Sequence, residues 1–416
     1  MSSPDLASNE SGEARLRPGT AVRHANSASC LRVLREAAEP LTVTEIADST
    51  GLSRPTVDAV LTELGRHQVI KIEPASARQG AGRPARQVIF DAAAGHVAGV
   101  DVGSNSIKTV VSDLAGAVVS QTVTPLPKHR DGGTRLAALR GSLPQALEEA
   151  AVPPSSLRAA CVAVPGILDH EDRIARSLTV PEWVGYPLVS ALQTGWGCPV
   201  AVENDIKLAA LAEHRLGLNR SASTLTFLQI GHRVSLALIM NGTILQGSHR
   251  LAGELGSLRG MKWTATSARG QLRWRSAATA KEVFALAADG DPRAQREIED
   301  FCAEIAPKIA TIILTVDPDL VVIGGGLSRA GRHFLEPLSN AVHHLLMTPD
   351  KPTLLPSNLT SDGAVCGALG LAFERWSTEI FGVAGVPPPW PAWRPDAVPR
   401  TSETTSPHSH QREKAR

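Results

Sequence analysis

Three side chains in this 416-residue chain could grip a polyhydroxylated ligand. Asn204 offers both donors and acceptors, and its neighbour Asp205 accepts hydrogen bonds from vicinal hydroxyls. Glu254, within Gly253-Glu254-Leu255-Gly256, is a third acceptor of the same kind. Plainer roles compete. Asn and Asp both favour a helix N-cap, and the helix Ile206–Arg215 follows directly. Glu254 also suits a solvated loop. Capping does not exclude ligand binding, so both readings stand.

A second set of residues suits a polyanion. Residues 53–86 hold six Lys/Arg (Arg54, Arg66, Lys71, Arg78, Arg83 and Arg86) against three acids (Asp58, Glu63 and Glu73). This local excess contrasts with the whole chain, where 42 basic residues face 41 acidic ones. Clustered cations of this kind attract phosphates.

The elements that must carry these cations are readable. A first helix is expected over Ser29–Glu39, ended by Pro40. Thr42-Val43-Thr44-Glu45 has the form of a capping box and starts a second helix. Gly51 permits the positive φ of a tight turn. Ser53 then caps a third helix, with Pro55 tolerated in its first turn. Val57, Val60, Leu61 and Leu64 make its buried stripe. Ser53, Arg54, Thr56, Asp58 and Thr62 remain at its start and outer face. That is the geometry of a helix-turn-helix whose second helix enters a major groove. Val69–Ile72 and Gln87–Phe90 read as strands around the loop Arg78–Arg86, which is a wing. Its Gly-Arg-Pro stretch suits a narrow minor groove. Ser53, Arg54, Thr56, Asp58, Thr62, Lys71, Arg78, Arg83 and Arg86 are therefore the candidate DNA-binding residues. The competing reading is a helix-turn-helix used for protein contacts, with a solvated basic loop.

Residues 96–375 alternate short apolar strands with amphipathic helices, the texture of an α/β domain. No repeat of 20–50 residues is visible. Within this stretch the order of motifs resembles the ROK family of repressors and sugar kinases. Val100-Asp101-Val102-Gly103 is similar to the first phosphate loop of that actin-like ATPase fold, and Val164-Pro165-Gly166 to the turn at its sugar site. Glu203-Asn204-Asp205 and Gly253-Glu254-Leu255-Gly256 resemble its sugar contacts, and Asp317–Leu327 its adenosine-side strand and Gly loop. The resemblance spans about 97–375. It implies two actin-like lobes with a ligand cleft, and Gly166, Asn204, Asp205 and Glu254 as ligand contacts. In the kinase branch the residue matching Asp205 is a general base. Gly324–Gly326 reads almost equally well as a tight strand-to-helix turn.

The departures matter as much. Where the kinases carry a second glycine-rich phosphate loop, this chain reads Gly231-His232-Arg233-Val234-Ser235. Without small residues the amides cannot close around a phosphate. Ser257 stands where a zinc- and sugar-binding His is expected, and Leu258–Ala280 contains no cysteine. A structural zinc site usually has four Cys/His ligands, so no metal is expected, and no other cofactor. Trp263 and Trp274 lie among arginines there. They read as hydrophobic anchors in preference to a stacking site for an anionic or aromatic ligand.

The expected architecture is an N-terminal winged helix-turn-helix (26–92) and a two-lobed sugar-kinase-like α/β domain (96–380). Disordered ends (1–25 and 383–416) complete it, being polar or Pro-rich. The expected function is transcriptional regulation of sugar-related genes, as a repressor without enzymatic activity. Its partners would be a double-stranded operator and a sugar or sugar-phosphate effector, bound by a homodimer or homotetramer. An ATP-dependent sugar kinase with a fused DNA-binding domain is the alternative. Cys30, Cys161, Cys198, Cys302 and Cys366 are far apart, and no apolar run suits a membrane span or signal peptide. The expectation is a cytoplasmic protein with reduced thiols.

Overall fold

The structure is a computed structural model that describes residues 18–74, 86–126, 132–217, 222–231, 233–258, 260–267 and 271–393. The expected loop cations Arg78 and Arg83 lie outside the described residues.

The N-terminal module is a winged helix. Helix α1 (Pro18–Glu36), strand β1 (Leu41–Thr42), α2 (Val43–Thr50) and α3 (Arg54–Arg66) are followed by β2 (Ile70–Pro74) and β3 (Arg86–Phe90). The strands form one sheet in the order β1-β3-β2, with Leu41 opposite Val88 and Ile70 opposite Phe90. The capping box forms as the spacing predicts: Glu45 N–H donates to Thr42 Oγ1 (3.3 Å), and Thr42 N–H donates to Glu45 Oε2 (2.7 Å). Gly51 takes φ 72° and closes α2. Val57, Val60, Leu61 and Leu64 are buried, joined by Cys30, Leu31 and Ile46 from the preceding helices. The first helix is longer than expected. It begins at Pro18, so residues 18–25 are helical rather than disordered. Pro is tolerated in a first helical turn, and Cys30, Leu31 and Leu34 anchor the helix in the core.

The large domain repeats one sheet topology. In the first lobe, strands 96–102, 106–113 and 118–125 run antiparallel, and 157–164 and 200–204 extend the sheet in parallel from 96–102. In the second, strands 224–230, 234–240 and 243–244 are antiparallel, and 320–324 and 353–356 are added in parallel from 224–230. The order in both is third, second, first, fourth, fifth. Backbone topology thus repeats where the side chains show no repeat. The parallel strand Leu157–Val164 reads as an apolar run because both its faces are covered.

Two buried helices join the lobes. Helix Asp205–Leu216 is buried nearly all round. Helix Gly363–Arg375 lies against it so closely that a Cβ on Gly367 would stand 2.0 Å from the Leu208 carbonyl oxygen. The chain then runs through Ser377–Phe381 into a proline-rich strap. Residues 383–393 are packed, which corrects the expected disorder from 383 onward. Trp390 and Trp393 are buried with ring centroids 5.3 Å apart, and Trp393 Nε1 donates to the Gly116 carbonyl (2.7 Å). Two indoles supply apolar area that the prolines alone lack.

Candidate functional site

Two sites emerge, one on each module. On the head, Ser53, Arg54, Asp58 and Thr62 are exposed on α3, and Thr56 is half-buried. Some of these side chains are already engaged. Ser53 Oγ accepts the Thr56 amide (3.3 Å) as the N-cap, and Thr62 Oγ1 donates to the Asp58 carbonyl (2.8 Å). Arg54, in the first turn of α3, is exposed and is not part of the buried stripe. On the sheet, Lys71 is ion-paired with Asp91 (2.9 Å), so part of its charge is spent at home. Arg86 is exposed at the foot of β3, opposite Pro74.

On the large domain, the strand Val200–Asn204 delivers Asn204 and Asp205 to the head of the buried helix. Asn204 Oδ1 accepts the Ile206 and Lys207 amides (both 3.0 Å), and its Nδ2 donates to the Gly166 carbonyl (2.9 Å). The cap is therefore real, and it ties the Gly166 turn to the helix. Asp205 lies close enough to Asp101 and Glu254 to feel their charge. Burial, reinforced by those two acids, raises its pKa to about 8. Burial likewise raises Asp101 to about 6, against the attraction of Lys108. It also raises Glu254, which Lys207 partly offsets. The expected ligand contacts Gly166, Asn204, Asp205 and Glu254 thus come together from three separated segments. A carboxyl that holds its proton to about pH 8 both donates and accepts hydrogen bonds. The same value suits a general base, so it does not by itself separate binding from catalysis.

Several neighbours escaped the sequence reading. Lys207 is buried and donates to Gln246 Oε1 (3.0 Å). Burial lowers its pKa, against the pull of Glu203 and Glu254. Glu203, also buried, accepts from Gln246 Nε2 (2.6 Å) and from the Asn204 amide (2.7 Å). Lys108 is paired with Asp362 and also donates to the Ser361 carbonyl (3.0 Å). The available signal was a lysine inside the apolar run Ile206-Lys207-Leu208-Ala209-Ala210.

The phosphate-side turns differ. Gly103 N–H donates to the Ser106 carbonyl (3.0 Å), closing a tight turn beside Asp101. The second turn closes from Gly231 N–H to the Arg233 carbonyl (3.0 Å), with Ile230 facing Val234. Arg233 Nε is buried with no partner among the described residues. At Gly325 (φ 86°) a Cβ would lie 2.5 Å from the Ile230 carbonyl oxygen. Packing against the neighbouring strand accounts for a glycine there without any nucleotide.

Zinc does not fit the loop after Glu254. Ser257 and the cysteine-free stretch that follows offer no thiolate or imidazole. Two of the carboxylates facing the loop are committed: Glu297 accepts the Arg275 and Ser276 amides (2.5 and 2.8 Å), and Glu304 accepts the Ala265 amide. Trp263 is buried, and Trp274 packs on Phe301 (centroids 4.9 Å). The tryptophans hold the loop by hydrophobic contact.

A family profile described as the ROK family matches residues 97–262 and 260–375, and one described as the IclR helix-turn-helix domain matches 25–71. The chain belongs to the ROK family. It is 26% identical over 304 residues to a glucokinase of Halalkalibacterium halodurans, covering 65% of this chain and 92% of that protein. It is 20% identical over 360 residues to the xylose repressor of Bacillus subtilis, covering 82% of this chain and 93% of the repressor. The solved structure of a ROK family transcriptional regulator, a homologue of the E. coli MLC protein, superposes with a TM-score of 0.67. That match covers 86% of this chain and 98% of the other at 17% identity, which speaks for the shared fold. No helix among the described residues is long and apolar enough to cross a membrane.

Proposed function

We propose that this ROK protein is a sugar-responsive transcriptional repressor of sugar-related genes and does not transfer phosphate. The observation that carries this reading is the fusion itself. A winged helix with Arg54 on an exposed recognition face precedes a kinase-like cleft whose second phosphate turn holds an arginine in place of glycines. The likeness to the xylose repressor across both modules supports it. The head (about 26–92, extended back to Pro18) binds the operator. The domain 96–380, with the strap to Trp393, senses a sugar or sugar phosphate at Gly166, Asn204, Asp205 and Glu254. A cytoplasmic homodimer would set two α3 helices about 34–36 Å apart, one DNA turn. An effector that prefers one lobe arrangement shifts the population of heads competent for DNA. Equal affinity for both arrangements shifts nothing.

The test is selection of bound sequences from a random DNA pool, with and without a panel of hexoses, pentoses and N-acetylated amino sugars. Enrichment of a two-fold symmetric site that one sugar releases is expected. No enrichment under any condition overturns the reading. The retained Asp101–Gly103 turn and the raised pKa of Asp205 favour a second reading, a sugar kinase with a fused head. ADP release from ATP and a sugar, abolished in Asp205→Asn, would establish it.

A further inference from the structure

Arg250 sits in the loop that carries Glu254, and this loop belongs to the second lobe. It follows strand 243–244, and Gly253 packs against Leu236 of the same sheet. Yet the Arg250 side chain reaches the first lobe. Its Nη1 donates to the Asp169 carbonyl and to Asp172 Oδ1 (2.5 and 2.7 Å), and its Nη2 lies 3.5 Å from Glu203 Oε2. Asp172 tops the small hairpin 167–176 of the first lobe, and its other oxygen accepts from Arg375 at the end of the lobe-joining helix (2.9 Å). Arg250 and Asp172 are largely shielded from water, with 15% and 19% of their side chains exposed.

The backbone at both ends is unusual. Asp172 has φ 55° and Arg250 has φ 56°, the left-handed region that side-chain-bearing residues seldom enter. Such a conformation costs free energy and persists where the surroundings over-determine it. The Arg250–Asp172 contact joins the two turns, each of which also closes on its own backbone: the Asp172 amide donates to the Asp169 carbonyl (3.2 Å) and the Arg250 amide to the Gly247 carbonyl (3.1 Å). On the Glu254 loop, Lys207 adds donations to Gln246 Oε1 (3.0 Å) and the Arg250 carbonyl (3.4 Å).

We infer that Arg250 is the positioning residue of the ligand cleft: its bridge to Asp172 and Glu203 latches the second lobe to the first and aims Glu254 at Asp205. Effector binding and lobe closure are then one event. A ligand bridging Asn204-Asp205 and Glu254 adds to the same closed arrangement that Arg250 favours. This rests on the proposed cleft, but the latch itself is testable without any effector.

The five native cysteines are buried, so spin labels can be placed on Glu148→Cys in the first lobe and Glu299→Cys in the second. Pulsed electron–electron resonance on full-length chains diluted in unlabelled protein reads the distance between lobes. Without sugar, Arg250→Ala and Asp172→Ala are expected to lengthen and broaden the distribution. Arg250→Lys should retain part of the short population. Arg173→Ala breaks pairs confined to the hairpin, with Asp169 (3.1 Å) and Glu171 (2.9 Å), and should leave the distribution unchanged. A folded Arg250→Ala with the original distribution overturns the latch. In a second arm the proteins are titrated with D-glucose, D-xylose and N-acetyl-D-glucosamine. If the lobes open in Arg250→Ala but no sugar binds the parent protein, the latch stands and the proposed effector class falls. If a sugar binds the parent, Arg250→Ala should weaken it at least tenfold; equal affinity overturns the positioning role.

Discussion

At the residue scale, the cations of the head are not equivalent. Arg54 is exposed at the start of α3, where recognition-helix residues meet base edges. Arg54→Ala is expected to weaken operator binding by roughly 1–3 kcal/mol and to relax preference at one base position. Lys71 is already paired with Asp91, so Lys71→Ala should change the salt dependence by less than one phosphate contact. Fluorescence anisotropy against salt concentration measures both, and equal effects of the two variants would refute this ranking. In the cleft, the raised pKa of Asp205 ties stability to pH. An unfolded Asp releases its proton near pH 4, whereas this one holds it to about pH 8. Between those values the folded chain binds the extra proton, so stability falls as pH rises. Asp205→Asn removes that penalty. It should raise the melting temperature at pH 8, on the order of a few kcal/mol in stability, and change it little at pH 4.5. The same gain at both pH values would contradict the assignment. Asn204, Asp205 and Glu254 were legible as a set because adjacent polar residues in fixed motifs announce themselves. Their partners Gln246, Arg250 and Asp172 were not, since they meet only when two lobes fold together.

Elements were legible where local physics decides them. The capping box at Thr42, the turn at Gly51 and the stripe from Val57 to Leu64 are all short-range, and all form. The start of α1 and the strap after Val383 were misjudged because tertiary burial overrides composition there. Trp393 packs on Phe373 and bonds to Gly116, and Trp390 packs on Trp393 and over Gly370, despite five nearby prolines. The loop after Glu254 lies between these cases: the lost zinc ligands were visible, but the replacement anchors were weighed only by type. Its stability should now rest on packing. Trp263→Ala is expected to cost about 3–5 kcal/mol in chemical denaturation, the usual range for a buried aromatic. A chelator should leave the melting temperature of the parent protein unchanged, and a large drop would restore a metal to this loop. Close helix contact makes a second element-level demand. Gly367→Ala puts a methyl 2.0 Å from the Leu208 carbonyl oxygen, so the helices must separate, at a cost of about 1–3 kcal/mol or more. A variant as stable as the parent in urea would show that this contact relaxes freely.

The whole molecule couples these parts through its core. The apolar residues of the winged helix form one continuous cluster with Val365, Leu369, Phe381, Val383 and Trp393 of the large domain. The junction is specific: the Ala384 amide donates to His24 Nδ1 on α1 (3.2 Å), and Gly382 (φ 74°) lies under the ring of His67 just past α3. Because helix Gly363–Arg375 touches the buried helix of the cleft and leads through Ser377–Phe381 to this junction, a change in lobe arrangement has a packed route to the head. Such a route also predicts how the chain melts. Head and large domain should unfold in one calorimetric transition, since the core of the head is continuous with part of the large-domain core and is not completed without it. Gly382→Ala strains a left-handed backbone position and drives a methyl into the His67 ring, 2.1 Å from its Cδ2. It should split the endotherm, the head melting a few degrees earlier while the large domain keeps its midpoint. The same variant should retain DNA binding but lose part of any release by effector, because the head no longer feels the lobes. A single unshifted transition with full release would show that the signal reaches DNA by another path.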